Sequence, residues 1–168
     1  TQQAEKLEPE EKVEIIPLLE RAVSLYKGEY LPEILYSEWV LLPRHYYHRL
    51  FLENVVTLGG LLKGTGQYAG ILELCEKAMA IDPYVEQVHI LYIEALIAQG
   101  KKHLAMSHYG RITDTLYREM GINPSKSLSY LYQVIQAEGG VAEFDLNLIE
   151  KDLQYTPTGE GAFFCNPV

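Results

Sequence analysis

An all-α fold built from stacked helical hairpins is what this sequence predicts. Three observations carry that expectation. Apolar side chains recur at helical spacing in one segment after another, as in Ile71, Leu74, Cys75 and Ala78. Glycines punctuate the chain at a fixed interval, with Gly66 and Gly100 lying 34 residues apart. No run alternates apolar and polar residues long enough to make a convincing strand.

The stretch from Gly66 to Pro83 sets the unit. Gly66 breaks one helix and Tyr68 starts the next, whose apolar positions lie at i, i+3, i+4 and i+7 on one face. Asp82-Pro83 ends it, because a residue before proline is pushed out of the α region. A second copy keeps the same spacing: Ile71 aligns with Ala105 and Cys75 with Tyr109, again 34 residues on. That period, and small or apolar residues at the helix–helix contacts, resemble the tetratricopeptide (TPR) repeat. The expected fold is therefore a TPR-like helical repeat stack, a right-handed α–α superhelix. The second copy departs at its end, where Ile112 replaces a small residue and proline arrives only at Pro124. Its second helix is expected to be longer than the standard unit.

Taken in order, residues 1–12 are rich in Gln, Glu and Lys and read as a linker or a frayed helix end. From Val13 the pattern turns apolar, with Ile16, Leu19, Val23 and Tyr26 spaced for a helix face and Lys27-Gly28 closing it. Pro17 predicts a start or kink there. Residues 26–44 read as an irregular, aromatic connection, with Trp39 expected to anchor it to the core rather than to stack on a ligand. A long helix follows from residue 44 to about 63, presenting Phe51, Val55, Leu58 and Leu62. Glu86 to Gln99 has Val88, Leu91, Tyr92, Ala95 and Leu96 in register. Lys101 to Met120, stopped by Gly121, is next. The last starts at Pro124-Ser-Lys, with Leu128, Leu131, Tyr132 and Ile135 inward and Gly139-Gly140 at its end. That makes about six substantial helices in a domain spanning 13–138. Residues 139–168 form a tail or the entry to a following domain. A short helix is expected near Leu146 to Leu153, with an extended Ala162-Phe-Phe-Cys piece beyond it.

Composition narrows the classes of function. With 48% apolar and 22% charged residues the chain is globular in type, and its 168 residues suffice for a real core. A net charge of −9 argues against phosphate-backbone binding by this segment, which calls for a basic surface. No apolar run reaches spanning length and no signal-peptide pattern opens the chain, so the expected location is the cytoplasm, without membrane contact. The two cysteines, Cys75 and Cys165, are far apart and read as free thiols. A start on Thr rather than Met, and an end on Asn-Pro-Val, are expected of a piece of something longer.

The order of landmarks is more specific than a repeat. Tyr26-Lys-Gly-Glu-Tyr-Leu-Pro, then Trp39-Val, Arg44, Gly66-Gln-Tyr and Ile81-Asp-Pro83 resemble the bacterial transcriptional activator domain of SARP-type and related multidomain regulators. So does the run from Gly100 through Ala105, Tyr109 and Leu116 to Glu119-Met-Gly-Ile-Asn-Pro-Ser125. The resemblance covers about residues 13–136. Gly70 and Ile71 depart from it, standing where such domains often carry an acidic residue and alanine. It implies an all-helical regulatory or oligomerisation unit placed just after a DNA-binding winged helix, which would lie upstream of Thr1.

Other chemistry is thinly represented. His45 and His48 stand three apart, but no third ligand has a companion spacing, and Arg44 and Arg49 flank them. They read as a solvated basic helix start, with no metal expected. His103 and His108, five apart, do not share a face. Gly64-Thr-Gly-Gln-Tyr-Ala69 mimics a dinucleotide fingerprint but follows a helix rather than a strand, so it reads as the inter-helix turn. No catalytic signature and no cofactor motif occur. The expected site is a groove lined by the first helix of each pair. Its candidates are Glu53, Val56, Gly60 and Lys63, with Gln87, Ile90, Glu94 and Ile97 one repeat later. Ile90 and Ile97 there need a cover, either a partner or the chain's own helices. The expected function is a regulatory, protein–protein interaction domain, contacting itself as a homodimer or another regulator. A stand-alone peptide-binding adaptor and a small-ligand sensor are the alternatives.

Overall fold

The structure, a computed structural model, describes residues 9–34 and 37–136. Among these are six helices and no strand: α1 (Pro9–Leu25), α2 (Glu38–Gly64), α3 (Tyr68–Ile81), α4 (Glu86–Ala98), α5 (Lys102–Thr115) and α6 (Lys126–Gln136). A π-helical turn, Leu116–Met120, extends α5. The expected helix near Leu146, the 139–168 tail and Cys165 lie outside the described residues.

Each repeat turn is made by the same device. At the end of α2, Gly66 takes φ 72° and the Gln67 N–H donates to the Leu62 carbonyl at 2.9 Å. At the end of α4, Gly100 takes φ 72° and the Lys101 N–H donates to the Leu96 carbonyl at 2.8 Å. These are Schellman caps, in which a left-handed glycine lets the chain satisfy the last helical carbonyls. Gly121, φ 68°, repeats the device after the π-helical turn, with the Ile122 N–H donating to the Leu116 carbonyl. The longer second helix expected of the later repeat is thus present, and it stops at the expected glycine.

Packing follows the predicted faces except at Tyr132, expected inward on α6, which is exposed and stacks on Tyr109 at the edge of the core, ring centroids 5.1 Å apart. Phe51, Val55, Leu58 and Leu62 of α2 meet Ile71, Leu74, Cys75 and Ala78 of α3, with Val23 of α1 and Val88 and Ala95 of α4 completing the cluster. A second cluster joins Ile90, Ile93 and Leu96 of α4 to Ala105 and Ile112 of α5, Leu116, and Leu128, Leu131 and Ile135 of α6. Only α4 contributes buried residues to both, which is why it is apolar nearly all round. Gly59 permits the close α2–α4 approach: a Cβ there would stand 2.8 Å from Leu91 Cδ1. Each fully buried Leu or Ile in these clusters contributes about 1.5–3 kcal/mol.

Three expectations are corrected or narrowed. α1 runs from Pro9, so of the two readings of residues 1–12, linker or frayed helix end, the helical one holds for 9–12. Proline is pre-organised for a first helical position, and Glu10 and Glu11 favour the positive end of the helix dipole. α2 begins at Glu38, not near residue 44, and carries Pro43 within it. Pro43 has no N–H to offer the Trp39 carbonyl, but Val40, fully buried, ties the N-terminal turn down. Trp39 does not anchor the aromatic loop; its side chain is exposed. Arg44 does the anchoring instead. Its Nε donates to the Tyr30 carbonyl at 2.8 Å, and its Nη2 donates to the carbonyls of Leu31 (2.5 Å) and Ile34 (2.9 Å). Held this way, Leu31 adopts φ 50°, a conformation uncommon for a residue with a side chain.

Candidate functional site

The predicted groove residues do not all reach a common open surface. Glu53 is exposed and pairs with Arg49 one turn earlier at 3.5 Å. Gly60 and Gln87 are exposed, and Val56 is half-buried. Ile97 is half-buried against the second core cluster. Ile90 is buried in that cluster because α6 packs over the face of α4 that an isolated repeat would leave open. Glu94 is buried as well, its Oε2 accepting from Lys63 Nζ at 2.9 Å. The two charges link α2 to α4 instead of lining a cleft. Glu53, Val56, Gly60 and Gln87 are what remains accessible of the expected set.

Two polar junctions form that spacing alone does not reveal. In the first, His48 is half-buried, contrary to its reading as part of a solvated basic helix start. Its Nε2 meets Asp82 Oδ2 at 2.9 Å and its Nδ1 lies 3.3 Å from the Tyr26 hydroxyl. Tyr26 in turn stacks on Phe51 at 4.5 Å. His48 and Asp82 are 34 residues apart, so the junction ties α2 to the turn that follows α3.

The second junction is a chain of rings buried between α4 and α5. His89 Nε2 lies 2.8 Å from the Pro83 carbonyl, His89 Nδ1 lies 2.9 Å from His108 Nε2, and His108 Nδ1 lies 3.1 Å from Arg111 Nη2. The donors can be assigned from the ends. A carbonyl only accepts, so His89 carries its proton on Nε2 and accepts on Nδ1. His108 must then donate from Nε2 and accept from Arg111 on Nδ1. Both rings are neutral in this arrangement. Burial lowers the His89 pKa, opposed by the Pro83 carbonyl and Glu86. Burial, then His89 and Arg111, lower His108 to about 4. Tyr92 covers His108, ring centroids 4.6 Å apart.

Nothing in these junctions has the makings of a reactive centre. Cys75 is fully buried, and burial together with Glu76 and Glu94 pushes its thiol up to about 12, leaving no thiolate at neutral pH. Among the described residues no three His, Cys, Asp or Glu side chains gather in a way that could hold a metal ion, and no helix is long and apolar enough to cross a membrane. Gly64 to Ala69 is the α2–α3 turn, as its helical context predicted.

Exposed apolar surface is instead concentrated on the N-terminal half of α2, where Trp39, Leu41, Leu42, Tyr46, Tyr47 and Leu50 face outward. Tyr47 continues the patch onto the Arg44-clamped loop, its ring 5.5 Å from Tyr30 and 5.4 Å from Tyr46. Helical offsets could have signalled this face. Trp39, Leu42, Tyr46 and Leu50 stand at i, i+3, i+7 and i+11, opposite Val40, Phe51 and Val55.

A stack of helical hairpins, closed by an extra helix and bearing an outward aromatic stripe, defines an all-α, TPR-like domain. The family model of the bacterial transcriptional activator domain matches residues 1–136, and the chain belongs to that family of transcription regulators. No curated protein and no solved structure matches the chain.

Proposed function

We propose that this domain is the regulatory, protein–protein interaction part of a bacterial transcriptional activator. It works in the cytoplasm, joining activator protomers or docking another regulator, and DNA is read by a winged helix elsewhere in the protein. The observation that carries the reading is the outward apolar stripe of α2, which an isolated globular surface has no reason to concentrate. The acidic balance of the chain supports leaving DNA contacts to another part of the activator. Glu53, Val56, Gly60 and Gln87, the accessible remainder of the expected groove, form a subsidiary contact surface.

The test measures the molar mass of the chain by light scattering across a concentration series and, separately, its retardation of duplex DNA at low salt. A mass rising toward twice 19.1 kDa with no DNA retardation is the expected result. Salt-sensitive binding of the chain to DNA would overturn the assignment of DNA reading to another domain.

A further inference from the structure

We infer that the outward face of the N-terminal half of α2 is a two-fold interface, on which a second copy of this chain packs its own α2 antiparallel. The inference rests on the interaction reading above and specifies its surface and its partner.

The stripe has the apolar content. Trp39 is 61% exposed, Leu42 79%, Tyr46 53% and Leu50 39%. At roughly 200 Å² for each aromatic, and somewhat less for each leucine, these four present on the order of 500 Å². A standard interface buries ~800 Å² per partner with a polar rim around an apolar centre. The patch supplies most of that area, and the charged residues beside it supply the rim.

Those charges are what favour a second copy over an unrelated partner. Glu38 lies at one end of the stripe and Arg49 at the other, eleven residues on. At ~100° per residue, eleven residues return to within ~20° of the same direction, so both lie on one flank. Both are exposed. A two-fold axis that sets two such helices antiparallel keeps each flank on its own side and reverses the ends. Glu38 of one copy then meets Arg49 of the other, twice per dimer. With the axis at residue 44, Leu42 falls opposite Tyr46, and the Trp39–Leu50 and Glu38–Arg49 pairs each lie within ~1.5 Å of that register, so large rings face aliphatic side chains. A parallel two-fold would set Trp39 on Trp39 and carry the two Glu38–Arg49 flanks to opposite sides of the interface, where these charges do not meet.

Sedimentation equilibrium of the full chain, from roughly 1 μM to roughly 1 mM, tests this. The wild type is expected to reach dimer mass. Leu42→Glu/Tyr46→Glu, at exposed positions, should leave the circular dichroism unchanged and weaken dimerisation by at least ~10-fold. Glu38→Arg and Arg49→Glu should each weaken it, and Glu38→Arg/Arg49→Glu should restore it, because the exchanged pair meets again across the axis. A wild type that stays monomeric to the highest concentration overturns the inference, together with self-association as a form of the function proposed. A dimer that survives Leu42→Glu/Tyr46→Glu overturns this surface and leaves the interaction reading standing. Loss of the dimer in that variant without rescue in the charge exchange overturns the antiparallel register.

Discussion

Acid should unfasten α4 from α5 before it unfolds anything else. The neutral chain from Arg111 through His108 and His89 to the Pro83 carbonyl has one acceptor nitrogen on each ring, Nδ1. A further proton must go there. On His108 that nitrogen faces the Arg111 guanidinium, and on His89 it faces the N–H of His108, so either protonation sets donor against donor. Glu86 and Asp82 oppose the shift at His89 without reversing it. Both histidines therefore bind a proton less readily folded than unfolded, and stability must fall as pH falls. The contribution of His108 is complete above its unfolded value of 6.5 and is lost progressively between 6.5 and about 4. At ~1.4 kcal/mol for each pH unit between the two values, the full loss is ~3 kcal/mol. Water reaching the Arg111 side screens part of this, leaving ~2 kcal/mol.

The assay is urea unfolding followed by circular dichroism at pH 7.5, 6.5, 5.5 and 4.5, on the wild type and His108→Gln. Glutamine can accept from Arg111 through its carbonyl and donate to His89 through its amide, so the pair survives without the titration. The difference between the two proteins removes the common carboxylate background. The wild type should lose ~2 kcal/mol more than His108→Gln on acidification, a shift of ~4–8 °C in Tm. Parallel curves for the two proteins would refute the assignment of acid sensitivity to this junction.

Other consequences are directly measurable. Arg44→Ala removes three bonds from a charged donor to the loop carbonyls. It should cost ~1–3 kcal/mol by urea titration and open residues 28–34 to limited proteolysis; an unchanged cleavage pattern would count against the clamp. Lys63→Met leaves the buried Glu94 carboxylate without its ammonium and should cost ~3 kcal/mol, whereas Lys63→Met/Glu94→Leu should recover most of it. Equal losses in the single and double variants would contradict that. Ile90→Glu should unfold the chain, losing more than ~4 kcal/mol, because α6 covers that position. Leu42→Glu should change stability by less than ~0.5 kcal/mol. Similar melting temperatures for the two would contradict the burial contrast.

The repeat itself was legible in the sequence because its signals are local. A left-handed glycine is needed wherever a helix must turn back within a residue or two, and Gly66, Gly100 and Gly121 each serve that purpose. The apolar offsets in α2, α3 and, apart from Tyr132, α6 likewise report faces that are each buried against neighbours. What failed was whatever depends on a neighbour far along the chain. Ile90 looked like groove lining because two repeats were counted, and only the fold shows α6 closing over it. His89 sits in an apolar helix and gives no spacing signal toward His108, nineteen residues on. Trp39 was expected inside because aromatics usually are, yet Arg44, with more hydrogen bonds to offer, holds the loop.

The placement of α2 explains why one helix carries both a core and an exposed stripe. Its C-terminal half, from Phe51 to Leu62, is the first helix of a repeat and packs against α3 and α4. The half before Phe51 extends past α3, whose last residue, Ile81, leads into the Asp82 that His48 grips. Beyond that contact, α2 has α1 and the Arg44-held loop on its inner side. Its outer side is therefore released from any duty to the core. A surface free of that duty would ordinarily be polar, as the outer side of the C-terminal half is at Glu53 and Thr57. That Trp39, Leu42, Tyr46 and Leu50 occupy it instead is a cost in solubility, and nothing among the described residues offsets that cost. Contact with another protein surface, as proposed above, would offset it.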